Sequence, residues 1–104
     1  MNDTLQISYI QTELIWEHAN ANRVVFEKKI AACPKGTEVI ILPEMFNTGF
    51  SMNAKANAED VQGVLEWMKA QSKKKQAALT GSAMVKENGK YFNRMFFVEP
   101  SVKV

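Results

Sequence analysis

Hydrophobic positions fall into four short runs of strand character and two stretches of helical period. Leu5 to Ile10, with Ile7, Tyr9 and Ile10, reads as a first strand, and Gln11 to Trp16 as a connection. His18 and Asn20 lie near a helix start, and from Asn22 onward the pattern is helical. Asn22, Phe26, Ile30 and Cys33 follow one another at helical steps, which stacks them on one face. Arg23 and Glu27 are spaced for an i, i+4 ion pair on another face. Pro34 and Gly36 end this helix, and Thr37 leads into Val39 to Leu42. That run is rich in β-branched residues and lacks polar alternation, so it predicts a strand buried on both faces.

Beyond it, Thr48 to Ala58 contains Gly49 and no periodicity, and is expected to be a loop. Val61, Val64, Leu65 and Met68 form the apolar stripe of a second helix running from about Glu59 to Lys75. Glu59 and Asp60 suit its first turn, and Lys73, Lys74 and Lys75 its last, each complementing the helix dipole. Ala77 to Val85 predicts a third strand. Asn88-Gly89 is a hairpin signal, and Tyr91 to Val98 predicts a fourth strand antiparallel to the third. The expected order is β-α-β-α-β-β, an α/β architecture with helices packed on one sheet.

Candidate chemistry concentrates where the second strand ends. Pro43 cannot donate to a sheet ladder, so the strand stops and Glu44 follows at its carboxyl end. Open α/β sheets place ligands at such ends. The local pattern alone favours the plainer reading, an exposed loop acid that follows a strand, since a strand-Pro-Glu sequence does not by itself define a site.

Composition narrows the classes. A chain of 104 residues allows one small domain with a real core. A net charge of +2 is too small to argue for nucleic acid or an anionic membrane surface. One cysteine rules out an internal disulfide framework and fits a reducing compartment. No signal peptide is visible and no stretch approaches transmembrane length, so a soluble, cytoplasmic protein is expected. The only histidine, the only cysteine and scattered acids offer no metal-ligand spacing, and no metal or cofactor is expected. Lys73 to Lys75 has no interleaved aromatics and reads as a solvated helix end. Gly81-Ser82 lacks the surroundings of a nucleophile elbow.

The stretches ILPEMFNTGFSMN at 41–53 and LTGSAMVKENGKYFNRMFFVEP at 79–100 resemble the carbon–nitrogen hydrolases of the nitrilase superfamily, and within it the omega-amidases. Gln11, Trp16 and Ala21-Asn22 fit the same subgroup. The resemblance runs in order over essentially the whole chain and reverses the reading of Glu44. It implies the amino-terminal portion of a four-layer α-β-β-α sandwich, with residues 1–104 a single partial domain truncated at its C-terminus. It also implies hydrolysis of the terminal amide of small omega-amides such as 2-oxoglutaramate by a glutamate, a lysine and a cysteine. A thiolate attacks the amide carbon, a base makes the thiolate, and fixed positive charge offsets the oxyanion. Position by position, Glu44 matches the general base. Phe46 and the segment through Phe50 match the border of the substrate pocket. Asn93, followed by Arg94, matches a motif near the site, where it takes a substrate-positioning role.

The departures concern the other two catalytic groups. The family's lysine lies a few residues past the Glu99-Pro100 turn, and Lys103 comes too early to match it. Val102 stands where the family usually has glycine. Cys33 is on the wrong element for the nucleophile and reads as a small buried hydrophobe. The chain alone is therefore expected to be inactive, with a homodimer or higher homo-oligomer as its state in solution. The competing expectation is a non-catalytic α/β fragment that acts as an association module through its open sheet edge.

Overall fold

In the computed structural model, which describes residues 4–49 and 58–100, the hairpin forms the backbone of a five-stranded sheet. The elements are β1 (Ile7–Tyr9), α1 (Ala19–Ala32), β2 (Val39–Ile41), β3 (Glu59–Asp60), α2 (Val61–Lys75), β4 (Ala78–Glu87) and β5 (Lys90–Val98). Asn88 and Gly89 both adopt positive φ, 52° and 76°, the backbone a two-residue turn needs to match strand twist. β5 then pairs antiparallel along β4 from Leu79↔Val98 to Glu87↔Lys90.

Because β5 occupies one edge of β4, the parallel strands share the other. β2 covers Ala78 to Thr80 and β3 covers Val85 and Lys86. β1 lies outside β2, parallel to it. The strand at Glu59–Asp60 was not expected: these residues were assigned to the first turn of the second helix. They extend along β4 first, and the helix begins at Val61, with the Asp60 carboxylate accepting from the Gln62 N–H at 3.1 Å as its cap. α1 begins at Ala19, earlier than the apolar period suggests, because its first turn carries no large apolar residue.

Both helices pack on one face of the sheet. Phe26 and Ile30 of α1 and Val64 and Met68 of α2 meet Ile40, Leu79, Ala83, Val85, Phe96 and Val98. The stripes expected for the two helices are those buried, with Asn22 on the α1 stripe and Ser72 on the α2 stripe. Cys33 is half-buried against this core at the C-cap of α1. The Lys75 ammonium donates to the Ala31 and Cys33 carbonyls at 3.1 and 2.7 Å, which offsets the negative end of α1. Arg23 does not pair with Glu27. It pairs with Glu59 of β3, while Glu27 accepts from the Trp67 indole at 2.9 Å, so both charges tie α1 to its neighbours.

β2 departs from expectation in a second way. Ile40 is buried, but Val39 and Ile41 are only half-buried. The register puts them on the face opposite the helices, in line with Ile7, Tyr9, Thr80, Phe97 and Met95. Ile7, Tyr9, Met95 and Phe97 are 53–65% exposed there, so among the described residues this apolar face lacks a covering layer. No helix among the described residues is long and apolar enough to cross a membrane.

Gly81 marks the tightest approach in the core. A Cβ at this position would stand 2.9 Å from the Leu42 Cβ and 3.2 Å from the Phe46 ring. Leu42 cannot retreat, because its N–H is bonded to the Thr80 carbonyl at 2.8 Å. Gly81→Ala is therefore expected to destabilise the fold by about 1–3 kcal/mol. Urea denaturation checks this, and an unchanged midpoint would show that the turn above Gly81 yields easily.

Candidate active site

Between the ends of β2 and β3, the edge of β4 from Gly81 to Met84 has no strand beside it among the described residues. The segment Glu44 to Thr48 fills that gap as a turn. It enters from β2 through Leu42, whose N–H reaches the Thr80 carbonyl. Pro43 ends the ladder, having no N–H to offer. Met45 then takes a left-handed conformation, φ 50°, uncommon for a residue with a long side chain. Its N–H donates to the Ser82 hydroxyl at 2.9 Å, and its carbonyl accepts from Thr48 and Gly49 at 3.2 and 2.8 Å. The Phe46 N–H donates to the Ser82 carbonyl at 2.9 Å.

At Met84 a side chain takes over. The Asn47 carboxamide donates to the Met84 carbonyl at 2.9 Å and accepts from the Met84 N–H at 3.0 Å. A carboxamide carries a donor and an acceptor side by side, so here it does the work of a neighbouring strand. The same Nδ2 donates to Glu59 at 3.0 Å, and Glu59 is ion-paired with Arg23. From the other side, Asn22 of α1 donates to the Asn47 carbonyl at 2.7 Å. Asn22 also accepts from the Ile15 N–H and donates to the Ile15 carbonyl, both at 2.7 Å. Asn22 and Asn47 are 1% and 0% exposed, so these bonds are shielded from water. Leaving any one of these buried groups unpaired costs about 1–3 kcal/mol.

Glu44 stands at the head of this turn. It is exposed, and among the described residues its carboxylate has no hydrogen-bond or ion-pair partner. The backbone on its C-terminal side is fixed by Ser82 and Met84. Phe46, assigned by resemblance to the border of the substrate pocket, points into the core at 1% exposure. Its ring meets Phe26 edge-on at 6.0 Å and stacks on Trp67 at 5.6 Å, so in the described structure it is a packing residue. Asn93 is exposed on β5, directly across β4 from the turn, since it pairs with Met84. Phe50, Val102 and Lys103 lie outside the described residues. Among the described residues no group of three His, Cys, Asp or Glu could hold a metal ion.

Two of the residues that organise this site could have been suspected from the sequence. Asn22 lies on the apolar stripe of α1, and a polar side chain there needs a buried partner. Asn47 follows the buried Phe46 in a turn, where a carboxamide often bonds backbone. Nothing in the sequence singled out Ser82 as the acceptor for Met45.

Residues 6–104 match the carbon–nitrogen hydrolases, and the chain belongs to that family. It is 34% identical over 96 residues to the omega-amidase YafV of Escherichia coli K12, a match spanning 92% of this chain and 37% of that protein. With the omega-amidase YafV of Yersinia enterocolitica the identity is 35% over 97 residues, spanning 93% and 38%. The structure superimposes on XC1258 from Xanthomonas campestris, a CN-hydrolase superfamily protein with an arsenic adduct in its active site. The TM-score is 0.86 at 32% identity, over 92% of this chain and 37% of that one. The fold described above is therefore a portion of the carbon–nitrogen hydrolase fold, and the chain spans little more than a third of the relatives' length.

Proposed function

We propose that this chain supplies the general base of an omega-amidase-type hydrolase, and that Glu44 is that base. The single observation that carries the reading is an unpartnered, exposed carboxylate on a turn fastened to β4, within a chain that belongs to a hydrolase family. The substrate class follows from the likeness to omega-amidases: the terminal amide of a small dicarboxylic acid monoamide, with 2-oxoglutaramate as its type.

In this reading Glu44 takes the proton from a cysteine thiol as sulfur bonds to the amide carbon, and a lysine offsets the charge on the carbonyl oxygen. The carbon–nitrogen bond breaks as Glu44 returns the proton to nitrogen, so ammonia leaves and a thioester remains. Glu44 then takes a proton from water as its oxygen bonds to the thioester carbon; the carbon–sulfur bond breaks, the carboxylic acid is released, and Glu44 returns the proton to sulfur. Neither the cysteine nor the lysine has a matching position in these 104 residues, since Cys33 caps α1 on the far side of β2 from the turn. Asn93 and Phe50 remain candidates for contacts with the substrate, and the chain by itself is expected to be silent.

Ammonia release from 2-oxoglutaramate, with glutamine as comparison, tests the assignment. The protein that carries this chain together with the missing groups is expected to be active and Glu44→Gln to lose at least about 100-fold, within the range for removal of a positioned base. Activity retained in Glu44→Gln would overturn the role of Glu44. Activity of the 104-residue chain alone would overturn the inventory of missing groups.

A second reading rests on the apolar face formed by Ile7, Tyr9, Met95 and Phe97. A face of this kind favours association, and two copies of the isolated chain would bury it against one another. Light scattering on the purified chain is expected to show a dimer or larger species, and a monodisperse monomer would contradict this.

A further inference from the structure

We propose that Asn47 is a positioning residue for the reaction: it sets where the Glu44 carboxylate stands by acting as a substitute strand for Met84. The inference rests on the reading of Glu44 as general base and adds a residue to which that reading assigns no part.

The geometry points to Asn47 through four hydrogen bonds to three elements. Its carboxamide takes both backbone groups of Met84, its Nδ2 also reaches Glu59, and its own carbonyl is held by Asn22. Together they tie the turn to β4, β3 and α1. Only Met45 and Phe46 separate Asn47 from Glu44, and Met45 is held in a left-handed conformation. A left-handed methionine is strained, and it persists only where its surroundings over-determine it. Two sets of contacts do so here. Ser82 takes the N–H groups of Met45 and Phe46, and Asn47 closes the turn two residues further along β4, at Met84. With the Asn47 carboxamide gone, the turn keeps Ser82 and the main-chain bond from Asn22 but loses its ties to Met84 and Glu59, and Met45 can relax toward ordinary φ. The chain then leaves Pro43 in a different direction, and the Glu44 carboxylate moves with it. A misplacement of about 1 Å at a reacting group can cost on the order of 100-fold in rate.

Asn47 is 0% exposed, so it reaches neither substrate nor solvent, and its influence passes through the backbone. That separates it from a binding residue. A group that only positions a base lowers kcat and leaves KM nearly as it was.

The test uses the protein that carries this chain together with its catalytic cysteine and lysine, assayed on 2-oxoglutaramate. Parent, Glu44→Gln, Asn47→Ala and Asn47→Asp are compared, each with its circular dichroism spectrum and melting temperature. Asn47→Asp keeps the acceptor for the Met84 N–H and removes the donors to Met84 and Glu59, so it disturbs the packing least. The expected result is a fall in kcat of roughly 10- to 100-fold, with KM within about threefold of the parent, in Asn47 variants that are folded at the assay temperature. A folded Asn47 variant with parental kcat, or one in which only KM rises, overturns the inference and leaves the role of Glu44 standing if Glu44→Gln is inactive. Failure of both Asn47 variants to fold also overturns it, since Asn47 would then hold the fold and not the base. Activity retained in Glu44→Gln, or a parent silent on this substrate, removes the underlying reading and the inference with it.

Discussion

β4 needs backbone partners along both edges, and on one edge the parallel strands cover only its two ends. β2 stops at Ile41 because Pro43 cannot continue the ladder, and β3 resumes opposite Val85. Buried peptide groups between them would cost more than the fold can spare, given that a domain of this size is stable by only about 5–15 kcal/mol. The turn from Glu44 to Thr48 meets that need with one main-chain donor to Ser82, one donor to the Ser82 hydroxyl and the Asn47 carboxamide at Met84. The same requirement that completes β4 therefore fixes the segment that bears the carboxylate. Folding and the placement of Glu44 share one set of hydrogen bonds.

Around that junction the charged and polar residues serve attachment. Arg23 and Glu59 join α1 to β3, and Asn22 joins α1 to both the turn and the connection after β1. Glu44 differs from all of these in having no partner among the described residues. The opposite face of the sheet shows the reverse economy. Ile7, Tyr9, Met95 and Phe97 are apolar side chains with nothing described above them, as fits a chain that spans 37% of the omega-amidase it resembles.

Local periodicity was enough for much of this architecture. The stripe of Phe26 and Ile30, the stripe of Val64 and Met68, and the Asn88-Gly89 hairpin each follow from spacing or turn chemistry, and each is present. What escaped depends on long-range pairing. Glu59 and Asp60 suit a helix start by charge, yet β4 draws them into a strand. Arg23 has Glu27 at the right helical spacing, yet Glu59 is the partner it meets. Val39 and Ile41 carry no polar alternation, but hydrophobicity alone cannot say whether a second layer lies over them. At the site, the position of Glu44 was legible from the strand-Pro-Glu sequence and the family resemblance. The contacts of Asn47 and Ser82 were not, because they join residues 37 positions apart and depend on which stretch of β4 is left open.

The measurement that bears most directly on this account is native-state amide hydrogen exchange at Met45, Phe46 and Met84, compared with amides in the β4–β5 ladder. All three join the turn to β4: Met45 and Phe46 donate to the Ser82 hydroxyl and the Ser82 carbonyl, and Met84 donates to the Asn47 carboxamide. If the turn is fastened to β4 as described, they exchange as slowly as the ladder, opening only when the sheet opens. Exchange at the rate of an exposed loop, with the ladder still protected, would show that the turn moves independently, and the fixed placement of Glu44 would be contradicted.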